Sequence, residues 1–274
     1  SAGTAAAVAQ FQESRRLPVD GIVGPDTWRA LVGAGYRLGT RMLYHRRPMM
    51  RGDDVADLQR RLSELGFDTG KVDGIFGPDT LAAVLDFQAS RRMAEDGIAG
   101  LEVAEELSRM VRAAEKLGLE TQGREQVRER QWIAALPTTI AGQHVYVDAF
   151  CRDEKESAST WLAAVTFSKI IQDLGATPVL SRSADTAPAQ RVRATRANRS
   201  GVDFIVSFSL SMDQEPGVYY FASAHSSSHA GAQLATAIGE RLGARAAGMA
   251  IPMLKDTRSP AVVIALPMVD EQTG

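Results

Sequence analysis

The sequence predicts a multidomain chain, with small all-α repeats followed by an α/β domain built on a mostly parallel sheet. Three observations predict it. A nine-residue phrase recurs almost unchanged, as VDGIVGPDT at 19–27 and VDGIFGPDT at 72–80. Beside the second copy, apolar residues recur at three- and four-residue intervals, the pattern of a helix with one buried face. Beyond residue 142, short β-branched runs alternate with helical stretches, which is how a layered α/β domain reads.

Composition bounds the possibilities. A length of 274 residues suits about two domains. The 45% hydrophobic and 23% charged fractions are those of an ordinary globular protein. A net charge of −2 gives no electrostatic case for nucleic acid, and the pairs Arg60-Arg61 and Arg91-Arg92 read as solvated helix faces. No apolar run approaches the roughly 20 residues that cross a bilayer, so no membrane insertion is expected. Cys151 is the only cysteine and excludes an internal disulfide. That fits a reducing compartment and favours the cytoplasm. The cell wall or secretion stays open, because the chain opens on Ser1 rather than methionine and an N-terminal segment is expected to be missing.

Each repeat element has a local reason. Val55, Leu58, Leu62 and Leu65 form one apolar stripe, and Gly66 follows where a left-handed residue commonly ends a helix. Asp73-Gly74 and Gly77 read as a tight turn using glycine's access to positive φ. Pro78 opens the next helix with Asp79 at its positive end, and Leu81, Val84, Leu85 and Phe87 continue the core. Glu95 to Gly100 is a looser third copy of the phrase. The same step separates Phe11-Gln12 from Asp20 and Phe87-Gln88 from Asp96. The expected unit is a small three-helix domain.

Gly52-Asp53-Asp54-Val55, Leu58-Gln59, Leu65-Gly66, Asp73-Gly74, Phe76-Gly77 and Phe87-Gln88 resemble the peptidoglycan-binding domain common in cell-wall hydrolases. The resemblance covers about residues 50–108, while residues 4–32 resemble only the second half of another copy. The domains are drawn accordingly: a partial repeat at 1–35 and a repeat at 46–110. The resemblance implies a bacterial protein and binding of wall glycopeptide by the module, without assigning contact residues.

Residues 111–141 read as a charged linker, dense in charge at Arg124–Arg130 and ending near Pro137-Thr138-Thr139. Strands are expected at 144–148, 177–181, 202–208, 218–221 and 261–266, and helices at 157–174, 187–199 and 229–246. Ser181-Arg182 with Asp185, Arg193 or Arg196 with Ala197-Asn198, Ser207, and Gly217-Val-Tyr-Tyr220 together resemble the zinc-dependent N-acetylmuramoyl-L-alanine amidases of the amidase 3 type. That gives an amidase-like domain at 142–274, expected to stop short of a final helix.

The resemblance also implies where zinc chemistry would sit. A His, Glu, His set holds the metal at the carboxyl ends of the strands, and a further glutamate moves the proton. Carried over, the first histidine position is Cys151, the second ligand Glu156, the third Ser209, and the catalytic glutamate Ala265. A serine hydroxyl is a poor zinc ligand and alanine offers no donor. Cys151 and Glu156 alone rarely make a catalytic zinc site. Zinc is therefore expected to be lost, with no catalytic residue retained. His225 and His229 stand four apart, but their serine-rich surroundings read as a loop entering a helix. The expected function is a non-catalytic regulator or scaffold of cell-wall synthesis, binding peptidoglycan or its precursors and cell-wall synthesis proteins. The alternatives are an active zinc amidase with rearranged ligands, and a plain wall-binding module.

Overall fold

The computed structural model describes residues 2–116, 133–134, 139–210, 217–223 and 226–267. The chain forms two compact units, one of Ser1–Ile22 with Ala135–Gly274 and one of Val23–Ala134. The charged run at 124–130, Pro137 and Thr138 lie outside the described residues.

The helical elements are α1 (Ala2–Ser14), α2 (Pro25–Ala34), α3 (Asp53–Glu64), α4 (Pro78–Arg91) and α5 (Leu101–Lys116). In the second unit, Val55, Leu58 and Leu62 of α3 meet Phe76, Val84, Phe87 and Leu107 in one core, as the apolar stripe predicts. Gly66 takes a φ of 88°, so the expected left-handed stop is present. Gly77 corrects the turn reading: its φ is −94°, and it caps α4 in an extended conformation. The positive φ falls on Gly74, at 70°, where an added Cβ would lie 2.9 Å from the Gly52 carbonyl oxygen. Asp54 of the Gly-Asp-Asp motif is buried and accepts from Arg41 Nε at 2.6 Å, which ties α3 to the segment preceding it.

The recurring phrase has a structural cause. Gln59 Nε2 donates to Asp73 Oδ1 at 3.0 Å and to the Ile75 carbonyl at 3.1 Å. Its Oε1 accepts from Gly74 N at 2.8 Å, while Asp73 Oδ1 accepts from Ile75 N at 2.8 Å. Gln88 clamps Asp96, Gly97 and Ile98 in the same way, and Gln12 clamps Asp20, Gly21 and Ile22. All three glutamines are buried. The Asp-Gly-Ile turn therefore hangs from a helix through one side chain that satisfies its backbone. The N-terminal copy pairs with Gln12 eight residues upstream, as the 95–100 copy pairs with Gln88, whereas Gln59 and Asp73 stand fourteen apart. The N-terminal copy is thus the counterpart of the later half of the full repeat. In Asp96, bonds from the Ile98 N–H and from Gln88 hold the carboxyl below the usual carboxylate range.

A Gln59→Leu substitution keeps the volume but orphans the Gly74 N–H and leaves the Ile75 carbonyl with the 3.4 Å bond from the Thr80 hydroxyl. Each such buried group costs about 1–3 kcal/mol, so a loss of about 2–4 kcal/mol is expected in the second unit. Denaturant unfolding of the variant, with hydrogen exchange on α3 and α4, measures it.

The first unit carries β1 (His144–Ala149), α6 (Glu154–Asp173), β2 (Thr177–Leu180), α7 (Gln190–Arg199), β3 (Phe204–Leu210), β4 (Gly217–Phe221), α8 (His229–Leu242), β5 (Arg245–Met249), α9 (Pro252–Lys255) and β6 (Ala261–Leu266). The strand order is β2-β1-β3-β6-β4-β5. Only the β4–β6 pairing is antiparallel among these strands, so the sheet is mostly parallel, as expected. Helices α6 and α8 cover the face of Val145, Val147, Val206 and Val262. Helices α7 and α9 cover the opposite face, with Tyr146, Ile205 and Val263.

Several boundaries differ from the sequence reading: α6 starts three residues earlier, at Glu154, and α7 three later, at Gln190. The helix expected over 229–246 ends at Leu242, because Gly243 adopts a left-handed φ of 63° and caps it. Arg245–Met249 is then a strand, although RAAGM contains no β-branched residue; parallel pairing with β4 imposes it. β3 runs through Ser209 and Leu210, two residues beyond the expected end.

Candidate functional site

The carboxyl ends of β1, β3 and β6 face the loop that enters α6, the kind of crevice where open α/β sheets carry their sites. β1 ends at Ala149, and Phe150 still donates its N–H to the Phe208 carbonyl at 3.0 Å. Asp153 caps α6 by accepting from Glu156 N at 2.8 Å, which sets Glu156 in the first helical turn. There the helix dipole favours its negative charge.

Glu156 is fully buried and both its oxygens are engaged. Oε2 accepts from the Arg152 backbone N at 2.8 Å and from Arg152 Nε at 3.0 Å. Oε1 accepts from Arg152 Nη2 at 2.8 Å and from Leu210 N at 3.1 Å. Arg152 Nη2 also donates to the Leu210 carbonyl at 2.8 Å. Arginine and carboxylate meet as a fork, the strong form of this pair. Together they clasp the end of β1 to the end of β3. Arg152 was not legible as a site residue, and the only sequence signal was its spacing of four from Glu156.

Cys151 sits on the side of α7. Its Sγ accepts from Arg193 Nη1 at 3.3 Å and approaches the Pro188 carbonyl at 3.7 Å. Arg193 is itself buried: Nε donates to Asp148 Oδ1 at 2.7 Å, and Nη1 also donates to the Pro188 carbonyl. Among the described residues, Asp148 Oδ2 and Ser207 Oγ are buried without a partner, on residues that are register neighbours of β1 and β3. Ser209 and Ala265 are register neighbours of β3 and β6, and both are buried. Burial raises the Tyr146 hydroxyl above its ordinary range, with the Asp148 charge adding to the shift. That hydroxyl donates to the Arg193 carbonyl at 3.0 Å.

Of the four positions assigned from the sequence, Ser209 and Ala265 are thus brought side by side. Cys151 is held by Arg193 and Glu156 by Arg152. Among the described residues, no three His, Cys, Asp or Glu side chains are grouped to hold a metal ion. His229 opens α8, where its Nε2 lies 3.4 Å from Gln233 Nε2, and His225 lies outside the described residues. Arg182, at the amidase-like Ser-Arg position, is buried and donates to five carbonyls, among them Ala149 at 3.0 Å and Ser157 at 2.7 Å. It organises the loop after β2 and ties it to β1 and α6.

A helical wall-binding region joined to an amidase-like sheet defines the class of protein. Residues 1–31 and 51–107 match the peptidoglycan binding domain family PG_binding_1. The chain is 33% identical over 288 aligned residues to N-acetylmuramoyl-L-alanine amidase CwlM of Mycobacterium tuberculosis, covering 94% of this chain and 69% of that protein. It belongs to the family of that amidase. N-acetylmuramoyl-L-alanine amidase CwlL of Bacillus licheniformis is 30% identical over 40% of this chain and 36% of its own length. Among solved structures, the amidase Ami1 of Mycobacterium smegmatis aligns with 47% of this chain and 83% of its own, at 19% identity and a TM-score of 0.40. Among the described residues, no helix is long and apolar enough to cross a membrane.

Proposed function

We propose that the chain is a non-catalytic regulator or scaffold of cell-wall synthesis, which binds peptidoglycan or its precursors through its helical repeats and uses the amidase fold as a platform for protein partners. One observation carries this reading: the single carboxylate left at the ligand positions is saturated by a guanidinium and two backbone N–H groups. A divalent cation needs lone pairs from several convergent side chains, and a catalytic zinc ordinarily has three protein ligands. Here Glu156 would have to release Arg152, Cys151 would have to release Arg193, and Ser209 would supply a neutral hydroxyl. Ala265 supplies no general base, a loss that typically costs about 10²–10⁴ in rate by itself. The residues present do not fit zinc, so no hydrolytic step is assigned to them. The cytoplasm is the compartment proposed, in line with the single half-buried cysteine.

The test is digestion of muropeptides by the purified full chain with added zinc, alongside sedimentation with sacculi. The expected result is sedimentation without release of stem peptides. Chelator-sensitive cleavage between muramic acid and alanine would overturn the reading. Pull-down of cell-wall synthesis proteins separates a regulator from a plain wall-binding module, which would return sacculus binding alone.

A further inference from the structure

We infer that a groove between the edge strand β2 and helix α7 is a binding site for a soluble phosphate ester of the sugar phosphate or nucleoside diphosphate class. Its lining includes none of the zinc-ligand positions, and it requires nothing from the reading above. The groove is open to solvent and has a volume of about 610 Å³, against about 300–1,000 Å³ for usual small-molecule sites.

Its charge is one-sided. Arg182, Arg196 and Arg199 line it, and no aspartate or glutamate does. The whole chain carries a net charge of −2, so this local excess of cations is not a reflection of composition. Helix α7 carries four arginines, and their fates differ. Arg191 reaches Asp256 at 3.6 Å and Arg193 reaches Asp148 at 2.7 Å, both internal pairings. Arg196 donates only to the Ser181 carbonyl, at 3.1 Å, and Arg199 makes no hydrogen bond or ion pair among the described residues. Arg182 is buried beneath them, with its donors spent on carbonyl oxygens, so its charge has no counter-ion. Arg196 and Arg199 keep donors for phosphate oxygens, which guanidinium meets bidentately, and the Arg182 charge adds to the field that favours a multiply charged anion.

The remaining lining fixes the class further. Ser183, Thr186 and Ser200 also line it; the first two hydroxyls bond each other and Ser200 donates to the Arg196 carbonyl, which leaves oxygen lone pairs to accept from sugar hydroxyls. Val179 and the exposed Leu180 give the lining an apolar part, with Tyr146 buried in the core.

Calorimetric titration of the full chain at low ionic strength tests this, with inorganic diphosphate as one probe and a nucleoside diphosphate sugar as another. Both are expected to bind at one site, the sugar conjugate more tightly. The Arg196→Ala/Arg199→Ala double variant is expected to lose about tenfold or more in affinity, a difference of about 1.4 kcal/mol for each tenfold. Arg112→Ala, which removes a cation from α5, is expected to leave it unchanged. Should the double variant fail to fold, Arg199→Ala alone keeps the test, since that side chain makes no internal bond. No binding of either probe, or equal affinity in the variants, overturns the inference. So does binding to anionic phospholipid vesicles without binding to diphosphate, because a surface of headgroups needs no groove.

Discussion

Replacing Arg193 with methionine is expected to destabilise the first unit by about 3–5 kcal/mol, the range measured when one partner of a buried ion pair is removed. The reason is positional. Arg193 is 2% exposed and Asp148 0%, so the aspartate left behind cannot recover hydration. Among the described residues its second oxygen lacks a partner, and Arg193 is the cation bonded to the first. The same guanidinium also holds Cys151 and the Pro188 carbonyl, so the loop before α7 would loosen together with the end of β1. Denaturant unfolding with hydrogen exchange at β1 and β3 amides measures the loss. The double variant Arg193→Met/Asp148→Leu is expected to recover most of it, because an apolar pair of similar volume removes the stranded charge. No recovery in the double variant would show that packing, rather than the charge, sets the cost.

Replacing Arg152 with methionine is expected to cost about 2–4 kcal/mol. The Arg152 side chain is 46% exposed while Glu156 is wholly buried. Solvent near the arginine screens part of the pair, which places the effect below that of Arg193. The backbone N–H groups of Arg152 and Leu210 would still reach the carboxylate, but the Leu210 carbonyl would lose its donor. Adding Glu156→Gln to the Arg152→Met background is expected to restore about half or more of the stability, since a neutral amide costs less to bury than a carboxylate. Unfolding curves of the two single variants and the double variant give the coupling directly.

The legible features shared one property: their cause lies close in the chain. The helix α3 stripe, the Pro78 start and the β-branched strands β1 and β6 were readable because period and local preference agree with the final fold. Arg245–Met249 was not, since only its pairing with β4 makes it a strand. The repeated Phe-Gln and Asp-Gly-Ile phrases were visible, but not their purpose. The glutamine acts across eight or fourteen residues of intervening chain, through a turn whose φ values no composition reveals. At the candidate site, Cys151, Ser209 and Ala265 were readable as changes of residue type from the pattern the resemblance implies, whereas Glu156 keeps its type. The bonds that engage Glu156 and Cys151 were not readable. Arg152 carries no functional reading in the sequence, and Arg193 only that of one residue of the resemblance, until the sheet brings Glu156 and Asp148 to them. Arg193 stands 45 residues from Asp148, a separation that no local pattern bridges.

The capacity of the carboxyl-end crevice for a metal rests on whether Glu156 is held by Arg152 or free to bind a cation. Equilibrating the purified full chain with micromolar zinc, removing the unbound metal and determining zinc per chain by emission spectrometry addresses this directly. The expected result is far less than one zinc per chain, unchanged by Glu156→Gln. About one tightly held zinc per chain, lost in the Glu156→Gln variant, would contradict it.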